Sequence, residues 1–408
     1  MYNILKGMRV IEGASFIAGP VCCQHLLGLG AEVIRFDMIG GGPDFNRWPV
    51  TPDGHSLYWE GLNKGKKSVA LNLASKEGRD LALRIATAPG ANGGLFVTNY
   101  PVDGFLSHER LAARRPDMIT VRVMGWADGR NGIDYTINAV TGLTTMTGPA
   151  DLAGDQPVNH VLPAWDLITG AYAAFALMAA VHHRQTTGQG GEVRVPLSDM
   201  AATSLGHTGQ IAEALVSGDR PRLGNDLFGA LGRDFATADG KHIMIVAITG
   251  KQWASVTEAL GIGAEVAGIE AELGVTFTHE GQRFTHRARL FPLMEAALRR
   301  LNLTEAAACL DRAGVCWSVY RPLSQAIRDE PGFVSGNPVF AERRHPAGQT
   351  YPTPGAAATF AGLARGPAPG APRLGEHTDE VLAGLLALSS AEIARLHDQG
   401  VVAGPGER

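Results

Sequence analysis

GMRVIEGASFIAGPVCCQHLLGLGAEVIRFD, residues 7–37, is the stretch whose reading decides the fold. Met8–Glu12 is a short apolar run of strand type, Pro20–Leu29 reads as a helix, and Ala31–Phe36 as a second strand. Two strands joined by a helix form a β-α-β unit, whose parallel strands require a right-handed crossover.

Working outward, a Gly/Pro-rich loop (GGGPDFNRWPVTPDG, 40–54) separates this unit from a predicted strand at Lys67–Leu73. Helix Glu77–Thr87 precedes strand Gly94–Asn99, and helix His108–Arg114 precedes strand Met118–Val123. Strands alternating with helices at this spacing predict an α/β fold with a doubly wound, Rossmann-like parallel sheet. Trp165–Arg184 is one long apolar helix, taken as buried, closed by the turn TTGQGG. Strand Glu192–Pro196 and a helical stretch Leu197–Val216 follow. Residues 218–232 read as a linker. A smaller α/β unit over 233–330 comes next, with strand Lys241–Ala247 and helices near Lys251–Leu260, Arg287–Leu301 and Thr304–Ala313. A return linker (331–372) leads to a C-terminal segment (373–408), where Ser389 and Glu392 form a capping box ahead of a helix ending before Gly400. The predicted large domain is thus 1–217 completed by 373–408.

Composition narrows the function. With 408 residues, two domains are the natural expectation. Hydrophobic residues at 45% and charged residues at 19% are the balance of a globular protein. A net charge of −4 gives no general attraction for nucleic acid or anionic membrane. The apolar run Ala171–Val181 is short of the ~20 residues that span a bilayer, and the start MYNILKGMRVIEG lacks the pattern of a signal peptide, so a cytoplasmic address is expected. The cysteines (22, 23, 309 and 316) have no zinc or CxxC spacing, and adjacent Cys22 and Cys23 read as small packing residues. None of the thirteen histidines falls in HxxxH or HExxH, so no metal site is expected.

The opening unit imitates a dinucleotide fold, since Asp37 ends its second strand as a ribose-binding acid would. The phosphate turn Gly-x-Gly-x-x-Gly is missing after the first strand, and the plainer reading is an α/β crossover with a surface Asp37. Asp166, in LPAWDLITGAYAAFALMAAVHHR, heads the most apolar helix. It reads either as an N-cap or first-turn acid favoured by the helix dipole, or as a nucleophilic carboxylate able to form an anhydride with a thioester carbonyl.

Asp166 followed by R-x-x-TG-x-G-x-x-V-x-V (184–195), the opening GMRVIEG…AGP…GLGAEVIRFD, LNKGKKSVALNL (62–73) and APRLGEHTDEVL (371–382) together resemble the class III CoA-transferase family (CaiB/BaiF type). The blocks stand in the family's order across the chain. This resemblance implies Asp166 as the nucleophile and an inserted small domain. It also implies a homodimer of interlocked chains, with no prosthetic group and coenzyme A as part of the acyl-CoA substrate. It places CoA contacts at Ile17, Ala18, Leu71, Asn72, Leu73, Ala74, Asn99, Tyr100 and Asp134. The family's cationic position after the second strand is Met38 here, leaving Arg47, Lys66 and Lys67 as candidates for the CoA phosphates. Arg222 and Arg233 are candidates for the substrate's distal carboxylate.

Family racemases carry G-H-D-x-N, whereas Gly132-Ile133-Asp134-Tyr135-Thr136 stands here, and isoleucine accepts no proton. The glycine run of formyl-CoA transferases is missing from Asp226–Asp234. EGASFIAGP, VIRFDMIGGG, RWPVTPDG, LNKGKKS, NHVLPAWD and GNDLFGALGRDF resemble instead the intramolecular, isomerase branch. That branch moves CoA from the C1 to the C4 carboxyl of a mesaconyl (2-methylfumaryl) unit, giving the 3-methylfumaryl thioester. An intermolecular transferase between dicarboxylic acids and a non-catalytic CoA-binding protein remain open as rival readings.

Overall fold

A computed structural model describes residues 1–406; Glu407 and Arg408, the last two of the predicted segment 373–408, lie outside the described residues. In chain order come β1 (Arg9–Gly13), α1 (Ala18–Gly28), β2 (Glu32–Met38), α2 (Leu57–Asn63), β3 (Lys67–Leu71) and α3 (Lys76–Ala86). Then follow β4 (Leu95–Thr98), α4 (His108–Arg114), β5 (Ile119–Met124), α5 (Asp134–Val140), α6 (Leu143–Met146), α7 (Ala164–Thr187), β6 (Gly191–Pro196), α8 (Leu197–His207) and α9 (Gln210–Val216). Next are β7 (Leu231–Ala236), β8 (His242–Ala247), α10 (Gly250–Leu260), α11 (Gly263–Leu273), α12 (Glu280–Thr285), α13 (Arg287–Leu298) and α14 (Leu303–Arg312). The chain closes with β9 (Cys316–Val319), α15 (Leu323–Asp329), β10 (Phe340–Arg344), β11 (Thr350–Pro354), α16 (Thr378–Leu386), α17 (Ser390–Asp398) and β12 (Val402–Ala403).

The chain divides into two compact units. The first comprises 1–141, 160–211 and 331–408, and the second 142–159 and 212–330. Residues 142–159, which sequence places in the large domain, therefore go with the second unit. The first unit is an α/β fold around a seven-stranded sheet in the order β12-β3-β2-β1-β4-β5-β6. All neighbours are parallel except β12, which pairs antiparallel with β3. The order 3-2-1-4-5-6 is that of a doubly wound sheet with its switch point between β1 and β4. Strands read from Val/Ile-rich runs are buried along nearly their whole length, as expected when helices cover both faces. Helices α2, α3, α4 and α17 begin where serine acts as N-cap: Ser56, Ser75, Ser107 and Ser389 each accept a first-turn N–H.

The second unit holds the antiparallel sheet β7-β8-β9 and a core including Phe235, Ile245, Trp253, Phe277, Leu290 and Met294. Strand β7 begins at Leu231, inside the stretch sequence assigns to a linker, because Gly229 and Gly232 masked its apolar alternation.

α7 corrects a second expectation. At 24 residues it is long and apolar enough, by length and composition, to cross a membrane. It packs as a core helix against α1, β5 and β6, yet only one face is buried: Trp165, Thr169, Gly170, Ala173, Ala174, Leu177 and Val181. Gly170 sits so close to α1 that a Cβ there would lie 2.7 Å from the Ala18 carbonyl oxygen. The opposite face exposes Ile168, Tyr172 and Phe175.

Beneath the first three strands lies a buried ion cluster. Arg35 grips Asp37 with two bonds of 2.7 Å, reaches Glu12 at 3.0 Å and Asp44 at 3.2 Å. Lys66 meets the second Glu12 oxygen at 2.7 Å and donates to Asn63 and to the Pro20 carbonyl. Burial opposes ionisation of Glu12, but Lys66 and Arg35 outweigh it and hold the carboxyl below its usual range. Two expectations are corrected here. Asp37 is not a surface acid but 4% exposed, and Lys66 is enclosed in the core, where it cannot reach a phosphate.

Replacing Lys66 by alanine leaves three buried carboxylates, Glu12, Asp37 and Asp44, sharing Arg35 as their one cation. A loss of about 3–5 kcal/mol is expected, read as a lowered midpoint in urea denaturation of K66A.

Candidate active site

Five crossover loops meet at the C-terminal edge of the parallel strands, where open α/β sheets bind their ligands. After β1 the chain turns at Phe16, a non-glycine residue with φ of 69°. That strained conformation is held because Asp44 accepts the Phe16 N–H at 2.9 Å. The Asn99 side chain, just after β4, accepts the Ser15 N–H at 3.2 Å and donates to the Ser15 carbonyl at 3.0 Å. The two loops flanking the switch point are thereby clamped to each other.

Asp166 stands in the first turn of α7, after an N-cap residue, Pro163, that has no side chain able to cap. First-turn N–H groups have no partner within their own helix. Asp134, the first residue of α5 and 2% exposed, accepts the Asp166 N–H at 3.0 Å through Oδ2. Its Oδ1 lies 3.3 Å from His160 Nε2, and the His160 ring packs edge-on to Tyr135. Trp165, buried beside Asp166, donates its indole N–H to Asn138 Oδ1 at 3.1 Å. The first turn of α7 is thus fixed from α5 at consecutive residues.

Arg47 lies over the rings of Phe16 and Tyr58, at 5.7 and 5.4 Å. Burial first, then the charge of Asp134, push the Asp166 carboxyl up to about 7, against the pull of Arg47. Burial also raises the Tyr58 hydroxyl, on which Arg47 and Asp166 act in opposite senses. A part-buried carboxyl poised near neutrality beside a like charge is the environment in which functional acids occur. Among the described residues no cluster of His, Cys, Asp or Glu could hold a metal ion.

The residues expected to meet CoA lie on this edge. Ile17 is the N-cap of α1, without a side-chain cap bond, and buried Ala18 is its first residue. Leu71 and Leu73 have their side chains in the core, Asn72 donates to the Gly400 carbonyl, and Ala74 is exposed. Tyr100 packs against Phe105, and burial raises its hydroxyl to about 12. Asn99 is first of all the loop clamp.

Three further candidate cations already have partners within the chain. Lys67 is paired with Glu32 at 2.6 Å and Glu380 at 2.8 Å, so its charge is already neutralised. In the second unit, Arg222 is buried and bonded to the carbonyls of Thr144, Thr147, Leu152, Ala153 and Gln156, which fastens 142–159 to that unit. Arg233 lies 3.8 Å from Asp226 and 3.5 Å from Glu295, with its guanidinium over Phe291. Of the proposed cations, only Arg47 is exposed near Asp166. Phe16, Asp44, Tyr58 and His160 are not among the site residues expected from sequence, although Phe16 and His160 stand in the blocks EGASFIAGP and NHVLPAWD; the φ of Phe16 and the partners of His160 exist only in three dimensions.

A profile of CoA-transferase family III matches residues 5–378. The chain is 45% identical, over 99% of its length and 99% of the relative's, to 2-methylfumaryl-CoA isomerase of Chloroflexus aurantiacus. It is 32% identical to a succinate–glutarate CoA-transferase of Agrobacterium fabrum, over 64% of this chain and 67% of that one. The crystal structure of a CAIB/BAIF family protein from Brucella suis superposes with a TM-score of 0.75 at 26% identity, covering 94% of this chain and all of that one. The chain belongs to CoA-transferase family III.

Proposed function

We propose that this chain interconverts 2-methylfumaryl-CoA and 3-methylfumaryl-CoA by intramolecular CoA transfer, with Asp166 as the nucleophile. The observation that carries the reading is the part-buried Asp166 carboxyl, fixed from α5, in a chain collinear end to end with a 2-methylfumaryl-CoA isomerase.

Asp166 attacks the thioester carbonyl, its C–S bond breaks, and CoA thiolate leaves behind an aspartyl–acyl anhydride. The thiolate attacks the aspartyl carbonyl and breaks the anhydride C–O bond, giving an aspartyl-CoA thioester and the free dicarboxylate. The diacid turns over in place. Its other carboxylate attacks the aspartyl thioester and expels thiolate, which then takes the acyl carbon of the new anhydride and restores Asp166. Retaining the diacid gives it a high effective concentration, and excluding water protects both reactive intermediates. The N–H of Asp166 is already bonded to Asp134, so oxyanion donors belong to other groups. Arg47 is the side chain placed to meet an anionic part of the substrate, and the uncapped start of α1 at Ile17 and Ala18 favours a phosphate. Leu71–Ala74, Asn99 and Tyr100 complete the CoA-binding edge in this reading.

Intermolecular transfer is the second reading, favoured by the resemblance to the succinate–glutarate transferase. We also infer a homodimer, in which a second copy covers Ile168, Tyr172 and Phe175 of α7. Light scattering should give twice the 43.0 kDa chain mass; a monomer at micromolar concentration contradicts this.

Purified protein given 2-methylfumaryl-CoA alone should yield the 3-methyl isomer by mass spectrometry. Labelled free mesaconate should stay out of the thioester pool, and its incorporation would establish the intermolecular route. D166A should lose at least ~10³-fold in turnover, and substantial activity in folded D166A removes Asp166 from the chemistry. Since only the ionised carboxyl attacks, and its folded value is raised to about 7, activity should rise with pH through neutrality. Below that it should fall about tenfold per pH unit.

A further inference from the structure

Two carboxylates in one pocket resist being ionised together. Asp134 is nearly fully buried, and its two oxygens have different partners: the Asp166 N–H at 3.0 Å and the His160 imidazole at 3.3 Å. Among the described residues, His160 is the side chain that can form an ion pair with Asp134 when its ring is protonated. It comes from the segment just before α7, not from the α5 motif in which Ile133 stands.

We propose that His160 is a positioning residue acting on Asp166 through Asp134: its imidazolium, held against Asp134 Oδ1, offsets the like charge behind the nucleophile and keeps Asp166 a carboxylate. This rests on the reading of Asp166 as the nucleophile. The acceptor for the Asp166 N–H must be strong enough to fix the first turn of α7, and a carboxylate is the strong choice. The same carboxylate, uncompensated, raises the group it positions. A cation on its other oxygen retains the hydrogen bond while reducing the repulsion.

Arg47, from the loop after β2, also favours the Asp166 anion, whereas Tyr58 on α2 is the neutral neighbour it acts upon. The other elements packed on α7 carry His25 (α1), Arg122 (β5), Glu192 and Arg194 (β6), and Asp199 and His207 (α8). Glu192 pairs with both arginines, and Asp199 accepts from Ser198. None of them is ion-paired with Asp134 or Asp166.

The test compares wild type, H160Q and D134N, each checked for folding by circular dichroism. One readout is the pH dependence of kcat/KM on 2-methylfumaryl-CoA. The other is carbon-13 NMR titration of the Asp166 carboxyl, assigned by its loss in D166N. In H160Q both profiles should move up by about one pH unit, costing about tenfold at acidic pH with recovery when alkaline. In D134N, where the amide oxygen still accepts the Asp166 N–H, both should move down. H160Q added to D134N should produce no further shift, because the charge it answers is gone. A uniform loss of activity in H160Q without displacement of either profile, or an unmoved D134N titration, overturns the proposal. Displaced NMR titrations in a protein that does not turn over 2-methylfumaryl-CoA leave the dyad standing and remove the proposed function instead.

Discussion

The hydrogen bond from the Asp166 N–H to the Asp134 carboxylate is the constraint on which the site depends. Pro163 provides no side-chain cap for α7, so the first turn of the longest helix takes its acceptor from α5. That choice fixes where Asp166 stands and adds to the burial that raises its carboxyl. With a neutral acceptor burial alone would raise the Asp166 carboxyl, whereas the charge of Asp134 adds to burial and brings it up to about 7.

The remaining geometry follows from the sheet. Parallel strands deliver every crossover loop to one edge, and the 3-2-1-4-5-6 order opens a crevice between the loops after β1 and β4. The crevice would be mobile if its loops were only loops. Asn99 bonds both the N–H and the carbonyl of Ser15, and Asp44 holds Phe16 in its left-handed turn. Asp44 is in turn held by Arg35, so the buried ion cluster supports the strained turn from below.

That cluster also explains why conserving charge is not the same as presenting it. Lys66 immediately precedes β3 and Lys67 opens it, and successive side chains of an extended chain fall on opposite faces. One enters the core against Glu12 and the other pairs with Glu32 and Glu380 at the surface. Arg47, on a loop without such partners, retains a free face over two aromatic rings.

Periodicity and capping alone determined much of the first unit: the strand-helix alternation from Met8 to Val123 apart from α2, the helix at Asp166, and the capped helix after Ser389. These are local properties, set by side-chain spacing within each segment. The antiparallel addition of β12, the membership of 142–159 in the second unit, and the exposed face of α7 were decided only by tertiary structure. So were the burial of Asp37 and Lys66, the turn at Phe16 and the His160–Asp134–Asp166 chain. Asp166 could be singled out from its place at the head of an apolar helix and from family resemblance. The state of its carboxyl could not, because that state depends on burial and on charges 32 residues away in sequence, which a linear pattern does not contain.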